Sequence, residues 1–191
     1  PMPSPFLLDA GCGEGYYTGR MEAFLREKGL SPRIAGFDIS KSAVRAAAGK
    51  YKACQFAVAS AFAVPVASQS VDCLTNVFAP IVPSECERVV KPGGVMILAV
   101  PGPRHLYGLK EVLYEEPYEN EYRDTEYPGF SLLRREPVEG RLLLDDPQQI
   151  QNLFAMTPYY WKTPESGSRR LAQTQQLETE IRFDFLIYQR K

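Results

Sequence analysis

Leu8-Asp9-Ala10-Gly11-Cys12-Gly13-Glu14-Gly15 is the stretch that decides the fold. A glycine-rich turn follows a short apolar strand, Phe6-Leu7-Leu8, that ends at Asp9. The turn opens a helix over 14–28, with Tyr17, Met21, Phe24 and Leu25 on one face and Gly29 at its end. Glycines let a backbone turn tightly and come close to a ligand. The spacing is G-x-G-x-G, not the G-x-G-x-x-G of a dinucleotide loop, and Glu14 would repel a phosphate at the helix N-terminus. The ligand of this loop need not be an anion.

Outward from the loop the chain alternates strand and helix. Arg33 to Asp38 reads as a strand, 41–49 as an Ala-rich helix, and 54–58 and 71–77 as two further strands. Ser84 and Glu87 fit an S-x-x-E capping box, opening a helix that carries Val89 and Val90 and stops at Pro92-Gly93-Gly94. Val95 to Val100 is a fully apolar strand. Such strands between helices predict a parallel sheet covered on both faces. Beyond it come a helix over 104–115, an exposed Glu/Tyr-rich loop or lid over 115–130, and strand character over 131–143 broken near Pro137 and Gly140. A helix then starts at Asp146-Pro147 with Ile150, Leu153 and Phe154 inward, and a short helix spans 165–174. Ile181, Phe183, Phe185 and Ile187 alternate with Arg182, Asp184, Leu186 and Tyr188 in a late antiparallel strand. With no repeat and no long linker, 1–191 reads as one domain.

Composition sets the outer bounds. The 191 residues are 45% apolar and 24% charged, enough for one domain with its own core, and disorder or a disulfide scaffold is excluded. The formal net charge of −1 means that the chain as a whole is not built to grip a phosphate backbone, though a local patch could be. Cys12, Cys54, Cys73 and Cys86 contain no C-x-x-C pair and His105 is the single histidine, so no metal site is expected. Scattered cysteines without a signal peptide fit a cytoplasmic protein, and no apolar run reaches the ~18 residues of a membrane span. The start, Pro1-Met2-Pro3, reads as that of a piece of a longer chain.

Asp38 ends the second strand, where an acid can accept hydrogen bonds from both hydroxyls of a ribose. A ribose ligand without a phosphate, cationic near its reactive end, describes S-adenosylmethionine, whose sulfonium and ammonium tolerate Glu14.

Asp9 to Gly15, Asp38 and Val90-Lys91-Pro92-Gly93-Gly94 resemble the class I S-adenosylmethionine-dependent methyltransferase fold, a Rossmann-like, mostly parallel seven-stranded sheet with helices on both faces and an antiparallel C-terminal strand. Gly11-Cys12-Gly13-Glu14-Gly15-Tyr16-Tyr17-Thr18, Phe78-Ala79-Pro80, Pro101-Gly102-Pro103-Arg104-His105-Leu106 and Met156-Thr157-Pro158-Tyr159-Tyr160-Trp161 narrow this further. In collinear order from about Leu7 to Arg190, they resemble the 23S rRNA (guanine-N1)-methyltransferase family. That family usually carries an N-terminal cysteine-rich zinc module and a helical connector, which these residues lack. The resemblance therefore implies the catalytic portion of a longer protein, with most of the RNA grip upstream of Pro1.

Under that resemblance, Asp9, Gly11, Gly13, Glu14, Gly15, Asp38, Ile39 and Ser60 are the expected cofactor-binding residues, with Ile39 packing on the adenine. His105 is either a half-exposed loop histidine or a contact to the methionine end of the cofactor or to the target base. It is also a candidate to take the guanine N1 proton, because an imidazole titrates near neutrality. Asn76 and Phe78 are the other candidate catalytic residues: Phe78 either stacks on a flipped guanine or caps the sheet as a core aromatic. Arg104 pairs with a carboxylate or phosphate, or is solvated. Tyr16 lines the pocket, Tyr17 and Met156 to Trp161 are core, and Cys12 fills space. The reaction implied is methyl transfer to guanine N1 of an unpaired or flipped base in 23S rRNA. A small-molecule methyltransferase, for example one acting on a quinone precursor, and a non-catalytic S-adenosylmethionine-binding domain are the rival readings.

Overall fold

The computed structural model describes residues 4–121 and 125–191. They form two compact units, Pro1–Val100 with Thr125–Glu136 and Phe185–Lys191, and Pro101–Asp124 with Pro137–Asp184.

The first unit holds β1 (Phe6–Ala10), α1 (Tyr16–Glu27), β2 (Arg33–Asp38), α2 (Lys41–Lys50), β3 (Gln55–Val58), β4 (Val71–Val77), α3 (Pro83–Val89) and nearly all of β5 (Val90–Pro101). The opening part of β6 (Phe130–Leu144) and the closing part of β7 (Leu177–Arg190) complete a seven-stranded sheet of order β3-β2-β1-β4-β5-β7-β6. β1 pairs in parallel with β2 and with β4, so the strand order reverses beside β1. Ligands of open sheets bind at that reversal, beyond the carboxyl ends of the strands.

The core of this unit lies on one face of the sheet. Leu8, Leu74, Met96, Leu98, Leu186 and Tyr188 pack there with Val89, Cys86 and Phe130. Along the closing part of β7 the alternation is as the sequence predicts, with Asp184, Leu186 and Tyr188 buried; Leu177 and Thr179 are buried at its start.

Three local expectations are corrected. In α1 the buried residues are Thr18 and Gly19, while Tyr17 and Phe24 are half-exposed. A Cβ on Gly19 would stand 2.2 Å from the Tyr51 ring, so a small residue is what lets the helix lie this close, and the bulky stripe turns aside. The capping box does not form: α3 begins at Pro83 with Val82 as its N-cap, and no side chain caps it. Glu85 instead accepts the Val64 N–H at 2.7 Å and both Nε and an Nη of Arg88 at 2.7 Å, fastening the loop before β4 to the helix. Val90 has already left α3 and pairs with Val71, so Pro92-Gly93-Gly94 lies at an irregularity inside β5 rather than at a helix end.

The second unit packs α4 (Tyr107–Leu113), α5 (Pro147–Ala155) and α6 (Glu165–Gln173) around Leu109, Leu113, Ile150, Phe154 and Leu171. Asp146 caps α5 by accepting the Gln148 N–H at 2.8 Å, the start that Asp-Pro predicts. β6 runs unbroken through Pro137 and Gly140, because it is exposed along most of its length and an exposed strand tolerates a missing N–H. Met156 and Trp161 are each 84% exposed and not core; Tyr159 packs against the apolar cluster, and the Tyr160 ring lies 5.3 Å from that of Phe154. Of the expected lid, residues 122–124 lie outside the described residues. Its later part docks, with Tyr127 and Phe130 on the first unit's core, and its earlier part is held by Lys110 within the second.

Candidate functional site

The turn after β1 is shaped by left-handed backbone. Gly11 has φ 74° and Gly13 φ 52°, conformations that L side chains rarely adopt. A Cβ on Gly11 would stand 2.2 Å from Ala79 Cβ, whereas one on Gly13 would meet nothing within 4 Å. Gly11 is therefore set by packing, and Gly13 leaves an open cradle. Gly15, also left-handed, is the N-cap of α1. Glu14 is exposed at the rim.

Asp38 closes this cradle. Its Oδ2 accepts the Gly13 N–H at 2.9 Å and its Oδ1 accepts the Ser40 N–H at 2.8 Å. A carboxylate has about four acceptor positions, so two remain for a diol. Ile39 is 78% exposed beside it. The Ala59 N–H donates to the Asp38 carbonyl at 3.0 Å, and Ser60 Oγ accepts the Phe62 N–H at 3.2 Å. Phe62 is 80% exposed, an apolar ring at the carboxyl end of β3 that the sequence reading passed over. The signal lay in an aromatic just after a strand end.

Asp9 sits beneath the loop. It is buried, and its carboxylate accepts the hydroxyls of Thr18 at 2.6 Å and Thr75 at 3.0 Å. Burial raises its pKa above the usual carboxylate range, against the lowering effect of these two hydrogen bonds. Cys12 packs against Gly36, and burial pushes its thiol up to about 12, which makes it a space-filling residue.

Asn76 is buried at the end of β4. Its Oδ1 accepts the Ala79 N–H and its Nδ2 donates to the Pro80 carbonyl, both at 3.3 Å. Its amide thus holds the Phe78-Ala79-Pro80 turn. Phe78 has φ 55° and is half-exposed, which excludes a core role. Nearby, Tyr17, Met21, Val77, Ile97, Ala99 and Phe185 wall an apolar cavity of about 250 Å³. The polar residues on its lining, Thr75 and Asn76, are engaged as just described. The Tyr17–Met21 spacing was visible in the sequence, but periodicity alone does not separate a cavity wall from core.

His105 belongs to the second unit. Its Nδ1 accepts the Arg182 N–H at 3.3 Å and its ring lies 4.6 Å from that of Phe183. Burial, and then the charge of Lys110, lowers its pKa to about 4. A neutral imidazole whose Nδ1 already accepts an N–H is poorly suited to taking up a proton near neutral pH. Arg104 pairs with Glu180 at 2.7 Å and Glu119 at 3.2 Å and is not held for a phosphate. Among the described residues, no group of His, Cys, Asp and Glu could hold a metal ion, and no helix is long and apolar enough to cross a membrane.

Residues 8–98 match a family model described as a methyltransferase domain. YxjB of Bacillus subtilis strain 168, named provisionally as a 23S rRNA (guanine-N1)-methyltransferase, is 28% identical over 95% of this chain and 65% of its own length. The 23S rRNA (guanine(748)-N1)-methyltransferase of Streptomyces fradiae is 30% identical over 87% of this chain and 60% of its own. The chain thus spans less than two thirds of either relative. Among solved structures, BH2331 of Bacillus halodurans, described provisionally as a methyltransferase, superposes with a TM-score of 0.58 at 13% identity, over 97% of this chain and 92% of that one.

Proposed function

We propose that this chain, in which residues 8–98 match a methyltransferase domain, transfers a methyl group from S-adenosylmethionine to N1 of a guanine in 23S rRNA. The substrate reading is carried by one observation: two relatives, similar over most of this chain, bear that activity in their names. The cofactor reading rests on the open cradle at Gly13, the exposed Ile39 and Phe62, and the diol-ready Asp38. These fit S-adenosylmethionine: Asp38 would hold the ribose hydroxyls, Ile39, Ser60 and Phe62 would border the adenine, and Gly11, Gly13 and Gly15 would admit the methionyl chain beside Glu14. Bound there, the cofactor supplies an electrophilic methyl group on a sulfonium.

The work of the protein is then alignment and exclusion of water. Asp9 supports the loop from below through Thr18. Asn76 fixes the turn that carries Phe78, the aromatic that would stack on an unpaired base.

A second reading, a small aromatic acceptor such as a quinone precursor, draws on the cavity beside Asn76, whose walls are apolar and whose polar groups are already satisfied. Incorporation of labelled methyl from S-adenosylmethionine separates the two. Unmodified 23S rRNA fragments should accept label at guanine N1 with the whole protein. Label entering quinones or phenols while the RNA stays unlabelled would overturn the rRNA reading.

A further inference from the structure

The near-zero net charge conceals a segregated one. No Asp or Glu occurs between Asp38 and Asp72, and within that span Lys41, Arg45, Lys50 and Lys52 stand on α2 and just after it. All four are exposed. Several cations elsewhere are paired at short range: Arg26 with Glu22, Arg88 with Glu85, Lys91 with Asp72, Arg190 with Glu87. Among the described residues none of the four α2 cations forms an ion pair. The Lys50 ammonium lies 5.2 Å over the Tyr51 ring, and Lys52 donates to the Ala48 carbonyl at 3.0 Å. Both contacts keep the charge close to the helix and leave it uncompensated.

The helix is arranged to bring that charge near something. Val44 and Ala47 are its buried residues. By helical periodicity Ser42, Ala46 and Gly49 point outward, with Lys41 and Arg45 along one flank and Lys50 along the other, and Lys52 follows just past the helix end. Small side chains between cations let a bulky anionic backbone approach the helix axis. A membrane surface would call for large apolar residues between the cations, and this face has none.

We infer that the outward face of α2, flanked by Lys41, Arg45, Lys50 and Lys52, binds the phosphate backbone of RNA. The inference rests on the rRNA reading and deepens it, by placing a sequence-independent grip within this chain itself.

The test compares the whole protein with an Arg45→Gln/Lys50→Gln/Lys52→Gln variant, leaving Lys41 intact because it follows Ser40 and the Asp38 site. Binding to an unmodified 23S rRNA fragment is followed by fluorescence anisotropy across a salt series. Calorimetry with S-adenosylmethionine and a melting curve report on the fold. The expected result is at least tenfold weaker RNA binding at low salt, with a log K against log salt slope shallower by about 2–3, and cofactor affinity unchanged. Equal affinity and slope in parent and variant, while the parent methylates the RNA, would overturn the inference and leave the rRNA reading standing. A parent that binds no RNA at low salt would overturn the inference, and label entering small acceptors instead would remove the rRNA reading with it. Charge-dependent capture by anionic phospholipid vesicles, with RNA binding unaffected by the substitutions, would reassign the face to a membrane.

Discussion

Gly13 and Asp38 hold one another: the Gly13 N–H donates to Asp38 Oδ2 at 2.9 Å, so the glycine turn and the end of β2 form one hydrogen-bonded piece. Because Asp38 Oδ1 also takes the Ser40 N–H, the carboxylate is fixed before any ligand arrives. Preorganisation of this kind lowers the cost of binding. Asp38→Ala should weaken S-adenosylmethionine binding at least tenfold, since a hydrogen bond to a charged group is worth about 1.5–3 kcal/mol. Asp38→Asn should retain part of the affinity, because its single amide oxygen still accepts one N–H. Calorimetric affinities of Asp38→Ala equal to the parent's would remove Asp38 from the cofactor site.

Asp9 gives a pH signature. Burial raises its pKa in the folded protein above the 3.8 of the free side chain. A raised carboxylate pKa means that the folded state binds the proton more tightly, so this contribution to stability is complete below 3.8 and is lost as pH rises through the folded value. Asp9→Asn removes that dependence. Subtracting its melting temperatures from the parent's across mildly acidic pH should leave a difference that shifts against the parent as pH rises. A difference flat in pH would show that Asp9 titrates normally. Thr18→Val, which strips one donor from the buried carboxylate, should cost about 1–3 kcal/mol at neutral pH.

The order of strands and helices was legible because apolar runs broken by glycine and proline mark buried parallel strands. Side-chain direction was less so. Periodicity put Tyr17 on the apolar stripe of α1 correctly, but which way the stripe points is decided by the space beside Tyr51 that only Gly19 can enter. The capping motif at Ser84 failed for a similar reason: Pro83 is itself a good first helical residue, and Glu87 is claimed by Arg190, a contact across about a hundred residues that no local motif encodes. His105 was identifiable as a candidate, but its protonation state depends on burial and on Lys110.

Lys110 is fully buried, and its ammonium donates to the Tyr118 carbonyl at 2.9 Å and to Asn120 Oδ1 at 2.8 Å, over the Tyr118 ring. Asn120 Nδ2 in turn donates to the Gly102 carbonyl at 2.8 Å. The lysine therefore ties the segment after α4 to the turn that leads into His105. Lys110→Met keeps the length and removes the donor, leaving the part-buried acceptors on Tyr118 and Asn120 unpaired, and should destabilise the protein by about 1–3 kcal/mol. Limited proteolysis should then open near Tyr114–Asn120. A double-mutant cycle with Asn120→Ala should show about 1–2 kcal/mol of coupling, and additive losses would mean that the two residues act separately.

The rate–pH profile carries the sharpest consequence for His105. Its pKa of about 4 lies below the 6.5 of a free imidazole because burial, and next the Lys110 charge, penalise the cation. At neutral pH the ring is uncharged and Nδ1 accepts the Arg182 N–H, so the ring proton is on Nε2. Methyl transfer should therefore show no His105-dependent limb near pH 6.5, and His105→Asn should change the rate by a constant factor across about pH 6–8. A limb near 6.5 in the parent that disappears in His105→Asn would restore the imidazole as a base. Stability supplies the independent check. A lowered histidine pKa gives stability that is present above 6.5 and lost as pH falls through the folded value. The parent should therefore lose more melting temperature than His105→Asn between about pH 6.5 and 4.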